Sequence, residues 1–219
     1  MRPFVRRLRD LGLLGALLLA PPAHAQTAVT RDDIIAKLNH YEAPTDVDLP
    51  ALRQQVLERS RSRGKNEPPP QKRPPIAPDL DKLPAINLDI KFDVDTPIVL
   101  PESYQTIGRI ADALTHSSLL PYNFLIVGHV ESGGRRDNAA LLSQRRADAI
   151  RDILVNTFKI APKRLLPIGL GEEQLLDPAR ANGPANAQLQ IMTASKVADT
   201  EPAAPAPAVA AKKPVKKKH

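Results

Sequence analysis

Residues 124–158, FLIVGHVESGGRRDNAALLSQRRADAIRDILVNTF, decide the fold. Phe124, Leu125, Ile126 and Val127 form a short apolar run, the pattern of a buried strand. Gly128 and His129 end it. Glu131-Ser132-Gly133-Gly134 reads as a loop, because glycine adopts backbone angles that other residues resist. Asp137 or Asn138 can cap the helix that follows, a side-chain oxygen accepting from the first free backbone N–H groups. Leu142, Ala149, Ile150, Ile153 and Leu154 then recur at helical spacing, with Arg145, Arg146, Arg151 and Asp152 between them. The order is strand, glycine loop, long amphipathic helix. The loop carries Glu131, and the helix carries Arg146 fifteen residues later.

Outward from this stretch, Ile86 to Phe92 alternates apolar and polar residues, the signature of a strand with one buried face. Asp93 to Pro101 is a loop. Pro101 or Glu102 opens a helix whose inner side carries Ile107, Ile110, Ala111 and Leu114. Ile160-Ala161-Pro162 breaks the long helix, and Leu165 to Leu170 reads as a third strand. A loop over residues 171–185 leads to a last short strand, Leu189 to Met192. The order β-α-β-α-β-β predicts a two-layer α+β domain, with helices against a mixed sheet. A helix between the first two strands implies a right-handed parallel unit.

The flanks are of a different kind. Met1–Ala25 has a basic start (Arg2, Arg6, Arg7, Arg9) and an apolar run from Leu11 to Ala20. It ends in the small-x-small site Ala23-His24-Ala25, and together these predict a cleavable export signal. The apolar run is too short to span a bilayer. Residues 26–85 are expected to hold short helices, near Thr30–Tyr41 and from Pro50, followed by a linker, Arg59–Pro78. Charge and proline in that linker favour extended conformations over a packed core. No alternating strand pattern of membrane-barrel length precedes the domain. Residues 194–219 read as a disordered Ala/Pro/Lys-rich tail, with five lysines between Lys212 and Lys218. Such a cluster can add salt-dependent attraction to an anionic envelope surface.

Composition narrows the function. The 219 residues include 23 prolines, no cysteine and no tryptophan, and aromatics make up 3%, so the core must be aliphatic. Thiol catalysis and cysteine-based metal sites are excluded. His129-x-Glu131 lacks the downstream cysteines that a zinc deaminase needs, and no H-x-x-x-H spacing occurs. His129 reads as a buried hydrogen-bonding residue at a strand end. Ser143 has no histidine at readable spacing. No enzyme, cofactor or metal is expected. The formal net charge of +7 owes much to the signal and the tail, and no nucleic-acid motif accompanies it.

Gly128-His129-Val130-Glu131-Ser132-Gly133-Gly134, followed by Leu142-Ser143-Gln144-Arg145-Arg146-Ala147, resembles the core motif of the OmpA-like C-terminal domain. That motif is roughly G-H-T-D-S-x-G, then N-x-x-L-S-x-x-R-A, and the two align without a gap. Arg164-Leu165 and Gly169-Leu170-Gly171-Glu172 extend the likeness, which runs from Ile86 to Thr193, about half of the chain. The resemblance implies the same two-layer fold for residues 86–193. It also implies periplasmic work beside the outer membrane and non-covalent binding of peptidoglycan through diaminopimelate.

A free diaminopimelate end carries an ammonium and a carboxylate on one carbon. An arginine can grip such a carboxylate through two parallel hydrogen bonds, and a side-chain carboxylate can accept from the ammonium. By resemblance, Arg146 and Glu131 take these roles. The residues alone also fit a solvated carboxylate and a helix-face arginine. The sequence departs from the family at Val130 (family Thr), Glu131 (family Asp) and Ala139 (family Asn). It departs again at Ala187 and Gln188, where the family has two arginines. Two functions follow: a peptidoglycan-binding module linking wall and outer envelope, or a protein-interaction scaffold of the same fold without the ligand. The oligomeric state is not encoded in any feature of the sequence.

Overall fold

A computed structural model describes residues 29–41, 47–62, 67–69, 72–133 and 135–197. The expected export signal lies outside the described residues, as does the expected tail beyond residue 197. Four helices and four strands follow in the order α1 (Arg31–Leu38), α2 (Leu49–Arg61), β1 (Ala85–Leu88), α3 (Tyr104–Leu114), β2 (Tyr122–His129), α4 (Arg136–Asn156), β3 (Leu165–Gly171) and β4 (Leu189–Lys196). From β1 onward this is the anticipated β-α-β-α-β-β series. The last strand is longer than the sequence suggested and runs through Lys196.

The sheet order is β1-β4-β2-β3. β2 and β3 are parallel neighbours joined through α4. β4 lies antiparallel to both β1 and β2. The helix between β1 and β2 therefore joins two strands that point the same way but are separated by β4, a placement that only the return of the chain's end reveals.

Strand alternation sends Phe124 and Ile126 to one face and Leu125 and Val127 to the other. The first face packs under α1, α3 and α4, with Ile34, Leu38, Ile107, Ile110, Ala147, Ile150 and Leu154 all buried. Here α4 crosses β2 and β3 closely. A Cβ on Gly128 would run into the carbonyl of Ser143, and one on Gly169 into the backbone of Gln144. The helix also serves the sheet edge: Ser143 Oγ accepts from Gly171 N–H (2.9 Å) and Gln144 Oε1 from Gly169 N–H (2.8 Å). Ser143 thus ties α4 to the end of β3.

The second face is covered by α2, the helix expected from Pro50, and by residues that follow the expected linker. Leu52 and Val56 of α2, with Leu80 and Leu83, pack on Leu125, Val127, Ile168, Leu170 and Met192. The described part of Arg59–Pro78 is not an extended linker. Arg59 and Arg73, with Glu67, pair with Arg136, Glu172 and Glu173. Charges that would keep a free linker solvated neutralise one another against the domain instead.

Two local readings change. Helix α4 begins one residue before Asp137, at Arg136, and its N-cap residue Arg135 makes no side-chain cap bond. Asp137 pairs with Arg135 (2.7 Å) instead of capping. The first strand stops at Leu88, and beyond it Phe92 forms only an isolated bridge to Val99.

Candidate functional site

The loop after β2 is pinned on both sides. Val130 N–H donates to Gly171 O (3.1 Å) and Ser132 N–H to Ala181 O (3.0 Å). The facing 177–186 turn is organised by Asn186, fully buried, whose side-chain oxygen accepts from Asp177 N–H (2.7 Å). Its amide nitrogen donates to the carbonyls of Asp177, Arg180 and Ala181. His129, 2% exposed, closes the strand end as anticipated, with Nδ1 2.9 Å from Gln174 O and Nε2 2.9 Å from Gln190 Oε1. Burial pushes its imidazole below the ordinary pKa, against those two bonds.

Arg146 lies half-buried on α4. Its guanidinium stacks over Phe92 at 4.8 Å from the ring centre, and Nε donates to Thr96 O (3.1 Å). Both remaining guanidinium nitrogens lack a protein partner among the described residues, and Arg146 makes no ion pair there. Burial pushes its pKa down, while Asp95 and then Glu131 pull it up. A cleft of about 280 Å³ opens beside it, lined by Phe92, Val94, Asp95, Val130, Glu131, Leu142 and Arg146 among others. The structure thus places Glu131 and Arg146 on the wall of one cleft.

It adds Asp95, which the sequence reading left inside a plain loop. Asp95 sits at the tip of a tight turn with φ of 54°, a left-handed conformation that aspartate tolerates better than most residues. The turn is held by Asp93 N–H to Ile98 O (2.8 Å) and Thr96 N–H to Asp93 O (3.1 Å). The Asp93-Val94-Asp95 spacing was a readable turn signal, but the approach of this turn to Arg146, whose Nε bonds Thr96 O across 50 residues of chain, was not. Of the departures from the motif, Ala187 lines this cleft without a polar side chain, Ala139 lines an adjoining one, and Gln188 offers its carbonyl to His129 N–H (3.2 Å).

Residues 91–188 match the OmpA family. The chain carries an OmpA-like domain. Among curated relatives it is 36% identical over 101 residues to outer membrane porin F of Pseudomonas aeruginosa, a match spanning 46% of this chain and 28% of the porin. It is 32% identical over 85 residues to the peptidoglycan-associated lipoprotein of Brucella melitensis, spanning 39% and 49% of the two chains. The match covers less than half the length of either relative. Among solved structures, the peptidoglycan-associated lipoprotein of Burkholderia pseudomallei aligns at 22% identity and a TM-score of 0.40, over 48% of this chain and 87% of that one. Among the described residues, no helix is long and apolar enough to cross a membrane.

Proposed function

We propose that the OmpA-like domain binds peptidoglycan non-covalently through the free end of a diaminopimelate residue, linking the cell wall to the outer envelope. Arg146 takes the carboxylate, and Glu131 with Asp95 takes the ammonium. The observation that carries this reading is the state of Arg146. Its ring contact and its bond to Thr96 fix the guanidinium, two nitrogens have no partner among the described residues, and the countercharges Asp95 and Glu131 line the same cleft. A preorganised arginine loses little freedom when it grips a carboxylate. The second acid also bears on the Asp-to-Glu change at 131, because Asp95 shares the ammonium with the longer side chain. Met1–Ala25 would direct export to the periplasm, and the lysines of 212–218 would add a salt-dependent attraction to anionic surfaces.

A second reading, a scaffold of the same fold without the ligand, is favoured by Ala139 and Ala187, which supply no hydrogen bond to either cleft. Co-sedimentation with diaminopimelate-type sacculi separates the two. The chain from Gln26 should pellet, Arg146→Ala should not, and raised salt should have a modest effect. Binding that ignores Arg146→Ala but disappears with salt or with deletion of residues 212–219 would assign wall association to the tail and leave the scaffold reading.

A further inference from the structure

Arg145 and Arg146 are neighbours on α4, and one helical residue turns a side chain by about 100°. They therefore serve different clefts. The Arg146 cleft adjoins a second one of about 440 Å³, lined by Asp95, Val130, Glu131, Arg135, Asn138, Ala139, Leu141, Leu142 and Arg145. Asp95, Val130, Glu131 and Leu142 line both. Leu142 lies three residues before Arg145 and four before Arg146, so it sits on the ridge between them. Leu141, four residues before Arg145 and 43% exposed, lines only the second cleft. Arg135 is already paired with Asp137 (2.7 Å). Arg145 is exposed and takes part in no hydrogen bond or ion pair among the described residues. Asp89 and Lys91, which also line the first cleft, neutralise each other (2.7 Å); apart from that pair and the paired Arg135, the charges along the joined groove run Arg146, then Asp95 with Glu131, then Arg145.

A positive, negative, positive groove complements a ligand with the opposite order: carboxylate, ammonium, carboxylate. We propose that the second cleft is a subsite for the free carboxylate of the residue attached to the bound diaminopimelate, with Arg145 as its cation and Leu141 against the small apolar side chain beside it. The domain then selects peptide ends that carry a free carboxylate over capped or cross-linked ones. This rests on the head-group reading above and adds a specificity residue to it.

The test is calorimetric titration of the chain from Gln26 with meso-diaminopimelyl-D-alanine and with its C-terminal carboxamide. The two probes differ in charge at one group. The unaltered chain should prefer the acid by roughly two- to fivefold, the scale of one solvent-accessible ion pair. Arg145→Gln should erase the preference for the acid over the carboxamide, and Arg145→Lys should restore part of it. Arg146→Ala should weaken both probes alike. Equal affinities on the unaltered chain, or a preference that survives Arg145→Gln, would overturn the subsite alone. Failure of both probes to bind, or indifference of both to Arg146→Ala, would overturn the head-group reading and the subsite with it.

Discussion

The buried ion cluster offers the sharpest test of the packing. Arg136 and Glu173 are 4% and 3% exposed, and their side chains meet through three hydrogen bonds of 2.7, 2.8 and 3.0 Å. Arg136 also bonds Glu67 (2.6 Å) and lies 3.3 Å from Glu172, while Arg59 and Arg73 complete the set. Among the described residues three arginines face three glutamates, so their charges balance. Burial works against the Arg136 charge, but the pairs with Glu173 and Glu67 outweigh it and hold its pKa above the ordinary value. Changing Arg136→Met leaves Glu173 with only the longer contact to Arg59 (3.2 Å), and two arginines facing three glutamates, in a site with little water. Breaking a buried pair in this way costs about 3–5 kcal/mol, or roughly a 6–20 °C fall in Tm for a chain of this size. Glu173→Gln should cost a comparable amount. The double variant leaves Arg59 and Arg73 against Glu67 and Glu172, still balanced, so it should cost well under the sum. A coupling of about 2–3 kcal/mol is expected, near the top of the range for residues in contact. Urea unfolding of the four chains, with the slope m unchanged, measures the cycle. Raising the salt to about 1 M should alter the coupling little, since buried pairs are weakly screened. Single variants that each cost less than about 1 kcal/mol, and that add in the double, would mean the cluster behaves as exposed pairs do. The described packing of Arg59 and Arg73 would then be wrong.

Other consequences follow from the same packing and from the pKa of one buried group. A chain beginning at residue 86 removes Ile34 and Leu38 from the first sheet face and Leu52, Val56, Leu80 and Leu83 from the second, each side chain contributing about 1.5–3 kcal/mol when buried. Its urea midpoint should fall well below that of the chain from Gln26, with dye binding to the bared faces, and equal midpoints would show the N-terminal cover of the sheet to be dispensable. Burial lowers the pKa of His129 below 6.5, so the unfolded chain binds a proton that the folded chain resists. Its contribution is complete above that pH and is lost as the pH falls toward the lowered folded value, at up to about 1.4 kcal/mol per unit. His129→Gln should flatten that part of the urea-midpoint profile, and an identical slope in both chains would refute the assignment. Gly169→Ala pushes a methyl into the backbone of α4 and should cost about 1–3 kcal/mol in urea unfolding. Gly108→Ala meets nothing within 4 Å inside α3 and should gain about 0.5–1 kcal/mol.

Much of the domain was readable because its signals are local. The apolar run at Phe124–Val127, the helical spacing from Leu142 to Leu154 and the break at Pro162 each depend on a few neighbouring residues. The observed elements lie where those signals put them. Glu131 and Arg146 were legible as a pair only through the motif's spacing, and the structure sets them on one cleft. Asp95 was missed because nothing in Asp93–Pro101 indicates which distant arginine it approaches. The start of α4 was misread for a related reason: Asp137 is a good cap by type, but Arg135 holds its carboxylate and Arg136 is drawn into the ion cluster.

The sequence by itself determined the order of elements and the alternation that gives the sheet two apolar faces. These follow from periodicity and from steric properties of single residues. Only the tertiary structure decided that β4 inserts between β1 and β2, and that the proline- and charge-rich segment folds back over the sheet. It alone joined Asp95 to Arg146 and separated Arg145 into its own cleft. Strand insertion and charge pairing are choices among partners far apart in the chain. Composition marks Arg59, Glu67 and Arg73 as soluble, and only the facing Arg136, Glu172 and Glu173 make their burial favourable.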